Sequence, residues 1–172
     1  MGNYDSTGAT LEHIGKVREL LLKGMVSDLI HRMRTDADIL TELINRVMEH
    51  DLSKLEAPEK ELYDKYTPVL AKLTYGTPEY RQNLEEMGEA LRHHYKVNRH
   101  HPEHFENGIN GMTLTDLVEM LADWKAASLR HDDGDIVKSL EINKKRFEID
   151  DQLFGILKNT VREMQWDKDG SS

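Results

Sequence analysis

The stretch Leu40-Thr41-Glu42-Leu43-Ile44-Asn45-Arg46-Val47-Met48-Glu49-His50-Asp51-Leu52-Ser53-Lys54 decides how this chain is read. Leu40, Leu43, Ile44 and Val47 recur at spacings of three and four, the pattern of one apolar helix face. The pattern stops at His50-Asp51, and a turn with Ser53, Lys54, Glu56 and Pro58 follows. Neighbouring side chains on a regular helix point in different directions. His50 and Asp51 converge only if the backbone bends at the helix end. Converged, they offer an imidazole nitrogen and one or two carboxylate oxygens, half of a shell for a divalent cation. The plain alternative is a polar helix terminus facing water.

The same period runs outward on both sides. Upstream, Thr10 is placed to cap a helix carrying Leu11, Ile14, Val17, Leu20 and Leu21, with His13 beside that stripe. Gly24 is placed to end or bend it. Met25, Leu29, Ile30 and Met33 continue an apolar face, and Asp36 or Asp38 caps the next helix. Downstream, Pro58 suits the first position of a helix bearing Leu62, Tyr66, Val69, Leu70 and Leu73, interrupted near Pro68. Thr77-Pro78 opens a helix that runs through Leu84, Met87, Leu91 and Tyr95 to His93-His94 and Val97. Residues 98–111 form a polar loop holding His100, His101 and His104. Thr113 and Asp116 make a capping box for a strongly apolar helix through Leu117, Leu121 and Trp124. Two more helices follow, through Leu140 and Phe147 and through Leu153, Leu157 and Val161. No segment alternates with a period of two. The expectation is an all-α domain, a single compact bundle of about six or seven helices over residues 10–166. Residues 1–9 and 167–172 are expected to be flexible.

Composition excludes several functions. With 38% hydrophobic and 32% charged residues, the 172-residue chain suits one globular domain. Its net charge of -9 argues against binding to the backbone of double-stranded nucleic acid. It leaves open a small phosphorylated partner, because a bound cation reverses local charge. Without cysteine there is no disulfide, thiolate site or cysteine nucleophile. No apolar run of about 18 residues predicts a membrane span, and no signal peptide is evident. The start Met1-Gly2-Asn3-Tyr4-Asp5-Ser6 fits a loose myristoylation pattern but has no basic patch beside it. The expected location is cytoplasmic, and Met-rich faces suit pairing with a second copy as a homodimer.

Asp123 lies between apolar neighbours in Leu121-Ala122-Asp123-Trp124-Lys125-Ala126-Ala127. A carboxylate turned inward there is costly unless it meets a cation or several donors. Turned outward, it would lie beside Lys125. His13, His50, Asp51 and Asp123 together supply two imidazoles and two carboxylates from three helices. This set suits Mn, Fe, Mg or Zn and leaves room for water and a substrate oxygen. His31 is an alternative first ligand, and His131-Asp132 is a second His-Asp pair in an acidic turn.

In these residues the chain resembles the HD superfamily of metal-dependent phosphohydrolases. The resemblance rests on Glu12-His13, His50-Asp51-Leu52-Ser53-Lys54 and Ala122-Asp123, in that order, over residues 10–130. It implies an HD-domain-like bundle, a metal held by His13, His50, Asp51 and Asp123, and hydrolysis of a nucleotide or other phosphate ester. The chain is also similar to small helical proteins of phages and bacteria, a similarity that supplies no activity. Some HD proteins bind a second ion through intervening histidines, a role that would fall here to His94, His100 and His101. His-His-Pro-Glu at residues 100–103 resembles the cyclic-dinucleotide phosphodiesterase branch. Its spacing from His94 is short and that branch's glycine-rich signature is missing, so cyclic-dinucleotide cleavage is not assigned.

A mechanism follows for one or two ions. The metal activates water and polarises the phosphoryl oxygen. Lys54, Arg92 or Arg99 neutralises phosphate charge, His94 or His101 protonates the leaving oxygen, and Glu56 orients water. The alternatives are a di-iron HD-type oxygenase or lyase, and a non-catalytic helical metal-binding protein of the kind found in phages.

Overall fold

The computed structural model describes residues 5–22, 37–130 and 134–168. Among these residues there are eight α-helices and no strand. They are α1 (Thr7–Leu20), α2 (Ala37–Glu49), α3 (Glu59–Leu70), α4 (Pro78–Glu86), α5 (Gly88–Val97), α6 (Leu114–Ser128), α7 (Ile136–Arg146) and α8 (Asp151–Glu163). The fold is an all-α bundle with more helices than the period alone suggests. The additional one arises at Met87, where the helix expected to run from Thr77 to Val97 breaks into α4 and α5. No helix among the described residues is long and apolar enough to cross a membrane.

Helix α6 is the axis. Met120, Leu121, Ala122 and Ala126 are almost wholly buried, and Trp124 nearly so. Helices α1 and α2 pack on one side of it and α7 on another, while α7 pairs with α8 and α3 with α5. Val17 of α1 and Leu21 just past its end, Val47 of α2, Leu140 of α7, and Leu157 and Val161 of α8 join α6 in one core. Each such fully buried aliphatic side chain contributes about 2 kcal/mol. Even Lys125 turns inward, its ammonium donating to the Trp166 carbonyl at 2.9 Å. The pairing of Asp123 with an outward Lys125 is therefore replaced by a helix buried on nearly every face.

Helix ends follow local chemistry. Thr113 and Asp116 form the expected capping box on α6. Thr77 caps α4 with Pro78 behind it, and Asp135 and Asp150 cap α7 and α8. Thr10 is not a cap. Helix α1 begins three residues earlier, at Thr7, and Thr10 is buried within it. Pro58 stands immediately before α3, and Pro68 is carried within its last turn without ending it. The histidine-bearing loop is ordered by two 3-10 turns, Pro102–His104 and Gly108–Gly111. Gly111 lies so close to Phe105 that a Cβ there would meet Phe105 Cβ at 2.8 Å, so only glycine lets the loop close. Gly24, Met25, Leu29, Ile30, Met33, Asp36, His31 and His131-Asp132 lie outside the described residues.

Candidate metal centre

Asp51 stands just past the end of α2 with φ of 59°, in the left-handed region. Asp is one of the few residues that visits this region readily. The bend carries the Asp51 carboxylate to the same centre as the His50 ring, the convergence that a straight helix forbids. Both residues are fully buried.

The two oxygens of Asp51 face two sets of side chains. Oδ2 lies 3.3 Å from His13 Nε2 and 3.5 Å from His50 Nε2. Asp123 Oδ1 closes this first group, 2.8 Å from His13 Nε2 and 3.7 Å from His50 Nε2. Oδ1 lies 3.4 Å from His94 Nε2 and 3.5 Å from His100 Nε2. His101 completes the second group, its Nε2 2.8 Å from that of His94. Each group, with Asp51 shared, has its donor atoms close enough to hold one ion. Buried His, Asp and Glu clusters that could hold a metal are thus present among the described residues.

The donor set fits a cation on further grounds. His50 Nε2, His100 Nε2 and Asp51 Oδ1 are buried without a hydrogen-bond partner, although buried polar atoms are ordinarily satisfied. The opposite ring edges are held from behind. His50 Nδ1 lies 2.9 Å and His100 Nδ1 3.1 Å from Glu119 Oε1. His94 Nδ1 lies 2.9 Å from Glu59 Oε2, whose other oxygen takes His93 Nδ1 at 2.7 Å. A ring that donates Nδ1–H to a carboxylate turns a bare Nε2 inward, as metal-ligating histidines do. His13 is the exception, since its Nδ1 is buried without a partner.

The centre is strongly anionic. Burial pushes the Glu119 carboxyl up, but the His100 and His50 N–H groups outweigh it and hold it at about 2. Burial raises Asp51 and Asp123 too. Lys54 and His50 pull Asp51 well below the usual carboxylate range, and His13 and His50 do the same for Asp123. Burial opposes charge on His50, yet Asp51, Asp123 and Glu119 push its imidazole up to about 10. The carboxylates demand positive charge, which a divalent ion supplies in place of that proton. His101, crowded by His100 and His94 in a buried setting, is held well below the usual histidine range.

The remaining candidates are distributed differently. Lys54 donates to Asp51 Oδ2 and lies 5.1 Å from the Tyr63 ring centre, so its charge is engaged at the centre. Glu56 is exposed and serves α3 through its backbone carbonyl, which accepts from Glu59 and Lys60. Arg99 forms two 3.1 Å hydrogen bonds to Asp116 and lies over Phe105. It borders a pocket on the Glu119 side of the His50 and His100 rings. Arg92 is exposed in a groove with Gly88 and Glu85, a groove to which none of the grouped ligands contributes. Glu56 and Arg92 thus stand apart from the grouped ligands, and Arg99 is paired with Asp116 beside them.

A cavity of about 370 Å³ reaches His101 and Asp123, lined also by Tyr75, Tyr80, Tyr95, Lys138 and Arg146. A second, of about 180 Å³, reaches His13, Lys54 and Tyr63. Tyr80, Leu84 and Ala127 border both. Sequence reasoning missed these walls, and it missed Glu59 and Glu119. Glu119 did leave a signal. It stands four residues before Asp123 on α6, so an inward Asp123 brings Glu119 onto the same face.

A family model spans residues 2–163, which include every residue of the centre. The chain belongs to the Family of unknown function (DUF5662). No curated protein and no solved structure matches it. The family description carries no chemistry, so the chemistry of the centre rests on its own geometry.

Proposed function

We propose that the protein is a metal-dependent phosphohydrolase, with two groups of ligands that share Asp51 and would each hold one ion, acting on a small phosphate ester. The observation that carries this reading is the double facing of Asp51. One oxygen is turned to His13 and His50 and the other to His94 and His100, with unpartnered imidazole nitrogens aimed between them. The ordered His13, His50-Asp51 and Asp123 resemble the HD superfamily, which supports the same reading. The first ion would be held by His13, His50, Asp51 and Asp123, and the second by Asp51, His94, His100 and His101. Five imidazoles favour Mn, Fe or Zn over Mg.

Bound divalent ions supply Lewis acidity toward a phosphoryl oxygen and lower the pKa of water. The protein's own groups do the rest. Glu119 and Glu59 aim three of the rings, and Lys54 balances the charge of Asp51. His94 and His101 act as ligands in this reading. A ring nitrogen that gives its lone pair to a cation has no proton for a leaving group, so the acid role expected of them is withdrawn. The cavity beside His101 and Asp123 has the size of a small organic substrate, and its wall carries Arg146 paired with Glu103 and Lys138 beside Asp135.

A second reading, a di-iron oxygenase, draws on the nitrogen-rich second group, because imidazole suits iron. The discriminating experiment is metal analysis of the native protein, then a screen of phosphomonoesters, phosphodiesters and nucleotides, with oxygen uptake followed in parallel. Phosphate release that depends on metal, without oxygen uptake, is the expected result. Oxygen uptake without phosphate release supports the second reading. A chain that holds no ion after anaerobic reconstitution overturns both.

A further inference from the structure

Behind the centre, one carboxylate serves both halves. Glu119 Oε1 is 2.9 Å from His50 Nδ1 and 3.1 Å from His100 Nδ1. His50 belongs to the first group and His100 to the second. Glu119 is almost wholly buried, and its Oε2 accepts from Arg46 Nη1 at 3.1 Å. Arg46 is held in turn by Asp116 at 2.7 Å and Glu42 at 2.8 Å. The carboxylate is therefore fixed by a charged network anchored on α2 and α6. Glu59 differs, since it backs only His94 within the centre.

We propose that Glu119 is a positioning residue that couples the two half-sites, holding one imidazole of each with Nε2 inward through a single shared oxygen. The proposal rests on the two-ion reading above. Its loss frees two rings at once, one per ion, so both ions bind more weakly together. His50 Nδ1, His100 Nδ1 and Glu119 also lie close enough to hold an ion themselves. The guanidinium of Arg46 on the same carboxylate disfavours a cation there, since it already occupies Oε2 with positive charge.

The test uses the full chain, stripped with chelator and titrated with Mn2+ by calorimetry, with bound metal counted by elemental analysis. The hydrogen-bonded Nδ1–H groups of the imidazoles are read from nitrogen-15 NMR of the metal-free protein. The unsubstituted chain is expected to bind two ions. Glu119→Ala is expected to weaken both by about 10- to 100-fold, the range for lost outer-shell partners. The fixed Nδ1–H signals of two histidines should disappear with it. Glu59→Ala is expected to weaken one ion only. Should Glu119→Ala open a cavity between α2 and α6 and fail to fold, Glu119→Gln carries the test. It keeps an acceptor oxygen without the charge and should weaken both ions several-fold in parallel.

Weakening of one ion alone in a folded Glu119 variant overturns the coupling. So does unchanged affinity for both in Glu119→Gln with unaltered imidazole signals. Three ions in the unsubstituted chain would make Glu119 a ligand and overturn its positioning role. No ion in the unsubstituted chain would instead end the metal reading itself, a failure visible without any variant.

Discussion

The two halves of the centre are built from different material. The first takes His13 from the middle of α1, Asp123 from α6, and His50 and Asp51 from the end of α2. Its elements pack on each other directly, so the core that stabilises the bundle also sets the distances. The second takes only His94 from a helix, while His100 and His101 come from the loop after α5. Two of its rings are backed by carboxylates, His94 by Glu59 and His100 by Glu119, while in the first half Glu119 backs His50 and His13 Nδ1 has no partner. Packing can aim a ligand without a hydrogen bond behind it. Of the two loop ligands, His100 has that bond, and His101 lies instead against His94 and the rings of Tyr95 and His100.

Asp51→Asn should erase the comparison, since it alters the one residue common to both halves. Asn keeps the left-handed backbone, so far-UV circular dichroism should retain most of the helicity. Both ions should be lost, and any metal-dependent hydrolysis should fall at least about 100-fold, beyond the effect of outer-shell partners. Asp123→Ala and His101→Ala divide the halves. Each should leave one ion, counted by elemental analysis, and loss of both ions in either variant would show that the halves do not bind separately.

A smaller effect comes from Asp116, which joins α6 to Arg46 and Arg99 behind the centre. Burial pushes its carboxyl up, but the Thr113 N–H and the Arg99 guanidinium outweigh that and lower it below the usual 3.8. The charged form is therefore favoured in the folded state. Its contribution is present above the ordinary carboxylate value and is lost as pH falls below it. Asp116→Asn should flatten the loss of stability on acidification below about pH 4, measured as urea midpoints against pH. The smallest change is expected from Thr113→Ala, which removes the cap of α6 and costs about 1 kcal/mol. Urea unfolding at neutral pH measures it.

The fold was legible because helical period survives in the sequence. Val47 and Leu43 are buried as the spacing requires. Boundaries were less so, since the apolar spacing from Leu84 through Met87 and Leu91 carries past Gly88, the glycine that marks the break. Nor did the pattern reveal that Ile44, on the same stripe as Leu43, stays 45% exposed. The residues of both groups were legible by type and order, through a His-Asp pair at a helix end, an Asp among apolar neighbours and a run of His in one loop. Glu59 and Glu119 were not, because a Glu in an amphipathic helix ordinarily belongs to the wet face. Only the packing of α6 on α1 and α2 turns Glu119 inward. Arg99 misled for the converse reason. Its closeness in sequence to His100 says nothing of Asp116, which the fold places against it.

The left-handed turn at Asp51 limits what that position accepts. Gly relaxes the backbone there but brings no oxygen. Asn adopts the dihedral angle but offers one carbonyl oxygen and an amide that repels a cation. His tolerates the turn yet has one lone pair for two neighbours. Glu carries two oxygens on a longer stem and lacks the preference for a positive φ. Aspartate alone combines the angle with two acceptors at the right reach. Grafting this centre onto another helical scaffold would therefore require transplanting a backbone turn along with a carboxylate.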